Sequence, residues 1–248
     1  LVPTQRAYER GLEFGLSPDQ LRLTGMPVHP HFADHLPGKA VARRALALHP
    51  ALPAVLVTGG GDGMGPVYRI AREINRRKLS LQLVVVAGRN RALREQLETV
   101  RWNQPTLIYP FVNNMPELMA AADILVTKAG PTTISEACIA GLPIVLSGAV
   151  PGQEDGNVTH VVDNRAGAYA PGARRVADMV TAWLAEGPAK LAQRASNARR
   201  LARPDAVWLI ADEIHQQAQR PPVPVLKRTQ KPASGSWVRS APEDGWAV

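Results

Sequence analysis

The sequence predicts an α/β protein with a doubly wound parallel sheet. Five apolar segments of strand length recur along the chain, at residues 54–58, 81–88, 106–111, 123–130 and 143–147. A stretch of helical character separates each of these segments from the next. Continuous apolar strands that alternate with helices are typical of a parallel sheet covered by helices on both faces, because neither face of such a sheet reaches water.

The residues before the first of these strands carry weaker signals. Residues 1–16 have a helical pattern, which Ser17 and Pro18 end. Residues 21–28 alternate briefly between apolar and polar side chains and predict a short strand, and residues 39–48 predict a further helix.

The chain after the last of these strands is helical from about Gly172 onward. Pro188 and Pro204 suit the first turns of two of these helices, where the missing N–H breaks no hydrogen bond. Residues 220–248 are rich in Pro, Lys and Ser and have neither helical nor strand periodicity, so we predict a disordered tail there.

Composition excludes several classes of protein. The 248 residues are 45% hydrophobic and 20% charged, as in globular proteins. No apolar run approaches the ~20 residues that a membrane-spanning helix needs. A single cysteine, Cys138, excludes an internal disulfide and leaves no set of thiolates for a structural metal. We therefore expect a cytoplasmic protein.

The chain is basic, with a formal net charge of +8 and an isoelectric point near 10.1. Nucleic acid is a disfavoured partner, because the Arg and Lys residues are scattered without the interleaved aromatics that stack on bases. An anionic small ligand or an anionic membrane fits the charge as well, so peripheral attachment to the cytoplasmic face of a membrane stays open. A basic cluster at residues 69–78 has helical spacing and is typical of a solvated helix face.

A glycine-rich loop at residues 57–67 follows the first of the apolar strands and precedes a helix, the setting in which backbone N–H groups hold phosphate. The loop lacks the Gly-Lys-Ser/Thr ending of a Walker motif, and Met64 or Pro66 stands where a dinucleotide fold needs its third glycine. Arg89 stands near the place of a ribose-binding acid, so NAD binding and ATP hydrolysis are both disfavoured. Five glycines in seven residues exceed what a tight turn requires and indicate close approach by an anion.

A second turn follows the fourth of the strands, in the sequence KAGPTTISEA at residues 128–137. We expect a helix from about Thr132, and Thr133 and Glu136 have the spacing of a capping box. A ligand role for Glu136 is the open alternative. The helix N-terminus and the hydroxyls of Thr132 and Thr133 face the same sheet edge as the glycine loop, and two helix N-termini at one crevice suit a diphosphate.

Four motifs in matching order and spacing connect these turns to a known family. They are GGGDGMGPV, YPFVNNMPELMAAADILVTKAGPTTISEA, GQEDGN and VVDN, all within residues 59–164. The chain resembles the C-terminal, donor-binding half of the family 28 glycosyltransferases from about Val2 to about Gln217. It is most similar to the monogalactosyldiacylglycerol synthases and their bacterial relatives, and more distantly similar to the lipid II N-acetylglucosaminyltransferases.

The resemblance implies the GT-B fold, which has two Rossmann-like domains, and transfer of a hexose from a UDP-sugar to a lipid acceptor with inversion. It implies neither a cofactor nor a metal site. Residues 1–38 would be the end of the acceptor domain and the interdomain linker, and residues 39–219 the UDP-sugar-binding domain. The catalytic base would belong to the acceptor domain, so no catalytic residue is assigned and the chain is expected to be incomplete for catalysis alone.

The resemblance also implies a role for each matching residue of the donor site. Phe111 would face the uracil and the backbone of Val112 would bind its edge, while Glu136 would hold the ribose hydroxyls. Two further sets would hold the rest of the donor: Gly60, Gly61, Gly130, Pro131, Thr132 and Thr133 the diphosphate, and Gln153, Glu154 and Asn157 the sugar hydroxyls.

Simpler interpretations stay open. Phe111 is an ordinary core residue in one of them, and GQEDGN is a polar surface loop in another. For the whole protein, a UDP-sugar 2-epimerase and a non-catalytic nucleotide-sugar-binding module are the alternatives. His29 stands where the family usually has Arg, which weakens a phosphate contact there, and the prolines around the histidines at 29–35 disfavour a metal site.

Overall fold

A six-stranded parallel sheet forms the centre of the computed structural model, which describes residues 1–219. The strands are β1 Ala54–Thr58, β2 Gln82–Val86, β3 Thr106–Tyr109, β4 Ile124–Thr127, β5 Ile144–Leu146 and β6 Gly167–Tyr169. They lie in the order β3-β2-β1-β4-β5-β6, and every neighbouring pair is parallel. This arrangement confirms the predicted doubly wound sheet. The tail predicted at 220–248 lies outside the described residues.

Helices connect and cover the strands. They are α1 Gln5–Glu13, α2 His31–Asp34, α3 Lys39–Ala45, α4 Val67–Arg76, α5 Arg91–Glu98, α6 Met115–Ala121, α7 Pro131–Ala140, α8 Asp155–Asp163, α9 Ala173–Ala185, α10 Pro188–Leu201 and α11 Ala206–Ala218, with a 3-10 turn at Pro18–Gln20. None of the helices within residues 1–219 is both long and apolar enough to cross a membrane.

Both faces of the sheet are buried under apolar side chains. Because successive strand residues point to opposite faces, Val55 and Val57 of β1 join one apolar cluster and Leu56 joins the other. The first cluster includes Ile74 of α4, and the second includes Met119 of α6, and both of these side chains are fully buried. Burial on both faces explains why the strands read as continuous apolar runs rather than as alternating ones.

Two of the local predictions are wrong. Residues 21–28 form no strand, because their only ladder contact is an isolated bridge between Leu23 and Val2, and the prolines that follow cannot donate to a ladder. Helix α11 begins at Ala206, so Pro204 precedes its first turn. Pro188 does occupy the first turn of α10, as predicted.

The sequence pattern did not predict α8 or β6. Helix α8 begins with Asp-Gly-Asn, and β6 is the tripeptide Gly-Ala-Tyr, so neither segment has the residues that favour its conformation. Pairing of β6 with β5, and packing of α8 against β6, supply the stability that local propensity lacks.

A network of charged and polar groups joins α3 to the amino-terminal edge of the sheet. Arg43, only 8% exposed, donates to the carbonyl oxygens of Ala121 and Pro50 and to the carboxylate of Asp123. Asp123 also accepts from the backbone N–H of Ala54 at 2.7 Å and from Lys39 Nζ at 2.8 Å. The guanidinium therefore satisfies groups on both sides of the boundary between β1 and β4.

Replacement of Arg43 by Met should lower the free energy of unfolding by about 3 kcal/mol, because two carbonyls and part of a carboxylate lose their buried donor. Urea denaturation of the chain measures the loss. Lys39→Met is the matched control, since the Lys39 side chain is 50% exposed and an exposed ion pair contributes less than about 1 kcal/mol. Equal losses in the two variants would contradict the assignment.

Candidate functional site

Two chain turns lie side by side at the carboxyl-terminal edge of the sheet. Strands β1 and β4 are neighbours, with Val57 opposite Val126, and each runs at this edge into a turn that begins a helix. The winding of the sheet reverses between these two strands, and in doubly wound sheets ligands bind in the crevice outside such a switch point. The prediction that the two turns share one edge is therefore confirmed.

The fold explains why four of the five loop positions must be glycine. A Cβ on Gly59 would stand 2.1 Å from the carbonyl oxygen of Met64, and one on Gly63 would stand 2.0 Å from that of Ala87. Two others, Gly60 and Gly65, have φ values of 79° and 83°, which side chains rarely adopt. The interpretation that the glycine count by itself indicates a ligand is thus weaker than the sequence suggested.

Gly61 is the exception among these glycines. Its φ lies outside the left-handed region, and a Cβ there would make ordinary contacts, 3.4 Å from Arg89 Nη1 and 3.6 Å from Phe111 Cε2. Neither backbone conformation nor crowding therefore requires glycine at this exposed position. The fold itself therefore gives no reason for the missing side chain at Gly61.

Phe111 lies at the end of β3 with 43% of its surface exposed, so the interpretation as an ordinary core residue is wrong. The guanidinium carbon of Arg89 lies 4.2 Å from the centre of its ring, a cation–π contact. Arg89 also donates its backbone N–H to the carbonyl of Gly61 and lies 3.4 Å from Asp62 Oδ1. Val112, next to Phe111, is half-buried against the core.

The second turn differs from its prediction. Helix α7 begins at Pro131, with Gly130 as its N-cap, so Thr133 is the third helical residue and caps nothing. The capping box predicted for Thr133 and Glu136 is wrong, because Pro131 is the first helical residue and the N-cap is therefore Gly130, three residues before Thr133. Glu136 is consequently free of that role, and burial raises its pKa to about 7.

The GQEDGN segment is fastened to this second turn rather than lying free on the surface. Glu154 Oε1 accepts from Lys128 Nζ at 2.8 Å, and Asn157 Nδ2 donates to the carbonyl of Ala129 at 2.9 Å. Glu154 is only 4% exposed, whereas Gln153 is exposed. The segment is therefore a largely exposed polar stretch that these two hydrogen bonds hold next to the α7 turn.

The histidines at 29–35 lie in and next to α2, which is distant from these turns in the chain but contacts α7. The rings of His29 and His31 are 4.5 Å apart, and that of His35 is 5.6 Å from His31. Within residues 1–219, no group of three or more His, Cys, Asp or Glu side chains is placed to hold a metal ion.

Sequence reasoning missed two cations at this site, Arg89 and Lys128. In the sequence, Arg89 only marks the absence of a ribose-binding acid at that place, and Lys128 is only one residue of a turn. Their partners, Phe111 and Glu154, follow other strands. No spacing rule within one element relates residues so far apart in the chain.

A doubly wound α/β domain with two helix-initiating turns at its switch point belongs to the nucleotide-binding class of folds. The chain is a member of glycosyltransferase family 28, because the model of the Glycosyltransferase family 28 C-terminal domain matches residues 54–207. The family resemblance drawn from the motifs is confirmed.

Plant enzymes are among the similar proteins. The chain is 43% identical over 226 residues to the probable monogalactosyldiacylglycerol synthase 2 of Oryza sativa subsp. japonica, and 36% identical over 225 residues to monogalactosyldiacylglycerol synthase 1 of Arabidopsis thaliana. Each match covers 88% of this chain, but only 48% and 42% of the two relatives. The chain thus spans about half the length of the curated relatives it matches.

Solved structures share the fold at low sequence identity. The chain superposes on the Acinetobacter baumannii MurG with a TM-score of 0.59 and 18% identity, covering 80% of this chain and 58% of that one. It superposes on S. aureus MnaA, solved with UDP, with a TM-score of 0.67 and 17% identity, covering 88% and 60%. Both confirm the Rossmann-like architecture expected of one half of a GT-B protein.

Gly61→Ala and Gly63→Ala should differ sharply in stability. We expect Gly61→Ala to change the free energy of unfolding by less than about 0.5 kcal/mol, because its new methyl group meets only ordinary contacts. Gly63→Ala should lose about 3 kcal/mol or more, since φ is positive there and the methyl group would overlap a carbonyl. Urea denaturation measures both, and comparable losses would show that Gly61 is also needed by the fold.

Proposed function

We propose that this chain supplies the donor-binding half of a UDP-sugar-dependent hexosyltransferase that transfers a hexose, with inversion, to a lipid acceptor of the diacylglycerol type. The observation that carries the proposal is the pair of turns at the ends of β1 and β4, with Phe111 on one side and Glu136 on the other. The names of the relatives, monogalactosyldiacylglycerol synthases, support galactose as the hexose and diacylglycerol as the acceptor.

The base and the ribose have complementary groups in this site. Arg89 covers one face of the exposed Phe111 ring, and the uracil would stack on the part of the ring that stays open, with its edge at the backbone of Val112. Glu136 would accept hydrogen bonds from the two ribose hydroxyls. Its burial and raised pKa make it a carboxylate whose charge depends on that ligand.

The diphosphate would lie between the two turns, against the backbone N–H groups there. The residues are those named from the family motifs: Gly60, Gly61, Gly130, Pro131, Thr132 and Thr133. Of these, Pro131 has no N–H and would only shape the turn, and the N–H of Gly60 already donates to Thr58 Oγ1 at 3.2 Å. When an acceptor hydroxyl attacks the anomeric carbon, the bond to UDP breaks and negative charge grows on the diphosphate. Fixed N–H dipoles stabilise that charge as it develops, and one such donor contributes about 3 kcal/mol at comparable sites.

The sugar would face the segment that begins α8, where Gln153, Glu154 and Asn157 were named for its hydroxyls. Gln153 is exposed and its amide can both donate and accept. We also propose residues 1–38 as the end of the acceptor domain with its linker, and residues 39–219 as the donor-binding domain. The catalytic base is assigned to no residue of this chain.

A lipid acceptor brings the protein to a membrane, and peripheral attachment at the cytoplasmic face is part of the proposal. The basic cluster at residues 69–78 offers anionic lipid fewer unpaired cations than the sequence suggests. Arg76 and Arg77 both lie within 3.6 Å of Glu73, and Arg77 also contacts Asp178 at 2.6 Å. These pairs leave fewer cations for anionic lipid.

The alternative of a UDP-sugar 2-epimerase gains no support beyond the fold. The chain resembles a UDP-N-acetylglucosamine 2-epimerase with a TM-score of 0.58 but only 15% identity, whereas the synthases reach 43%. A likeness at such low identity extends to the architecture, which many functions share.

The chain should bind UDP-galactose about tenfold more tightly at pH 8 than at pH 6. The ribose hydroxyls favour ionised Glu136, whose pKa in the free protein is about 7, so binding releases a proton below that pH and affinity rises as pH rises through it. Both phosphates of UDP-galactose are esterified and do not titrate in this window. Glu136→Gln should bind weakly and without this pH dependence, as calorimetry would measure.

Two results would contradict this assignment. An unchanged affinity in Glu136→Gln would remove Glu136 from the ribose, and no binding of any UDP-sugar by the wild-type chain would remove the proposed function. Competition among UDP-galactose, UDP-glucose and UDP-N-acetylglucosamine for the same site identifies the preferred hexose.

A further inference from the structure

The carboxylate of Glu154 is almost completely enclosed by the protein. Its Oε1 accepts from Lys128 Nζ at 2.8 Å and its Oε2 accepts from the backbone N–H of Val150 at 2.9 Å. With only 4% of the residue exposed, little surface remains for a hexose to touch. This geometry differs from the direct sugar contact that the family motif implies for Glu154.

A buried carboxylate stays ionised only where hydrogen-bond donors or a cation replace its lost hydration. Burial alone raises the pKa of Glu154, but the hydrogen bonds from Lys128 and Val150 outweigh it, so that the pKa lies below its ordinary value. Glu154 is therefore an anion that holds the Lys128 ammonium in place, and the pair joins the end of β4 to the start of α8.

The ammonium of Lys128 lies directly over the turn that begins α7. A Cβ built on Gly130 would stand 3.1 Å from Lys128 Nζ. Gly130 has a φ of −70°, which any residue can adopt, so the backbone does not require glycine there. A Cβ at residue 130 would come close only to the end of the flexible Lys128 side chain, so this distance shows how near the ammonium lies to the turn.

A second hydrogen bond joins the end of β4 to the start of α8. Asn157 Nδ2 donates to the carbonyl of Ala129, the residue after Lys128. The segment 153–157 is thus tied near both of its ends to the turn at 128–130. The exposed Gln153 lies at the beginning of this tied segment.

We propose that Lys128 and Glu154 are positioning residues that set the place of the hexose-binding segment 153–157 relative to the diphosphate turn 130–133. The inference rests on the proposed function and deepens it. Lys128 controls recognition of the hexose, whereas UDP is held mainly by the groups at Phe111 and Glu136.

The test compares UDP with UDP-galactose, by calorimetry on the chain. Lys128→Met should weaken UDP-galactose about tenfold, because the hexose segment loses one of its two ties, and should weaken UDP by no more than about twofold. Lys128→Arg, which keeps a charged donor for Glu154, should restore most of the preference. Glu154→Gln should lower the preference too, since a neutral amide no longer supplies the charge that holds the ammonium.

Lys39→Met is the matched control. Lys39 Nζ makes an ion pair with Asp123 at the same distance, 2.8 Å, but at the opposite edge of the sheet. This variant should leave both affinities unchanged. Circular dichroism on each variant establishes that it is folded, and if Lys128→Met does not fold, Glu154→Gln decides the question.

The outcomes separate the two proposals. If Lys128→Met and Glu154→Gln each weaken UDP and UDP-galactose to the same degree, or weaken neither ligand, the positioning role is overturned while the donor site stands. If the wild-type chain binds neither ligand, the proposed function fails and the positioning role fails with it.

Discussion

The parallel pairing of β1 with β4 is the constraint on which the rest of the site depends. These strands are separated by two others in the chain, and their pairing places the turn after each of them at one edge of the sheet. The groups named for the diphosphate come from both turns, and the flanking groups come from β3 on one side and from α7 and α8 on the other. Without this pairing, the two turns would not lie side by side at one edge of the sheet.

The opposite edge of the sheet carries the interactions that hold this pairing. Arg43 and Asp123 satisfy carbonyl and amide groups at the amino-terminal ends of β1 and β4. The stabilising network and the proposed ligand site thus lie at different ends of the same two strands. This division leaves the carboxyl-terminal turns free to keep glycines, an exposed aromatic ring and a carboxylate with a raised pKa, none of which favours folding.

Each of the two cations at the candidate site is held by contacts with neighbouring residues of the site. Arg89 lies over Phe111 and is bonded to the backbone of Gly61, and Lys128 is held by Glu154 beside Gly130. Each cation is therefore already oriented before a ligand arrives. Such preorganisation stabilises charge that develops in a reaction without further reorganisation of the site.

The sequence by itself determined the α/β class, the five central strands and the positions of the two helix-initiating turns, because apolar periodicity and glycine and proline signals are local properties. It missed α8 and β6, whose residues favour neither conformation, and it placed a capping box at Thr133 that Pro131 displaces. The tertiary structure alone decided which glycine of the loop lacks a structural reason, that Phe111 is exposed, and that the buried Glu154 pairs with Lys128. Those properties depend on which strands are neighbours, and contacts between distant segments leave no periodic trace in the chain.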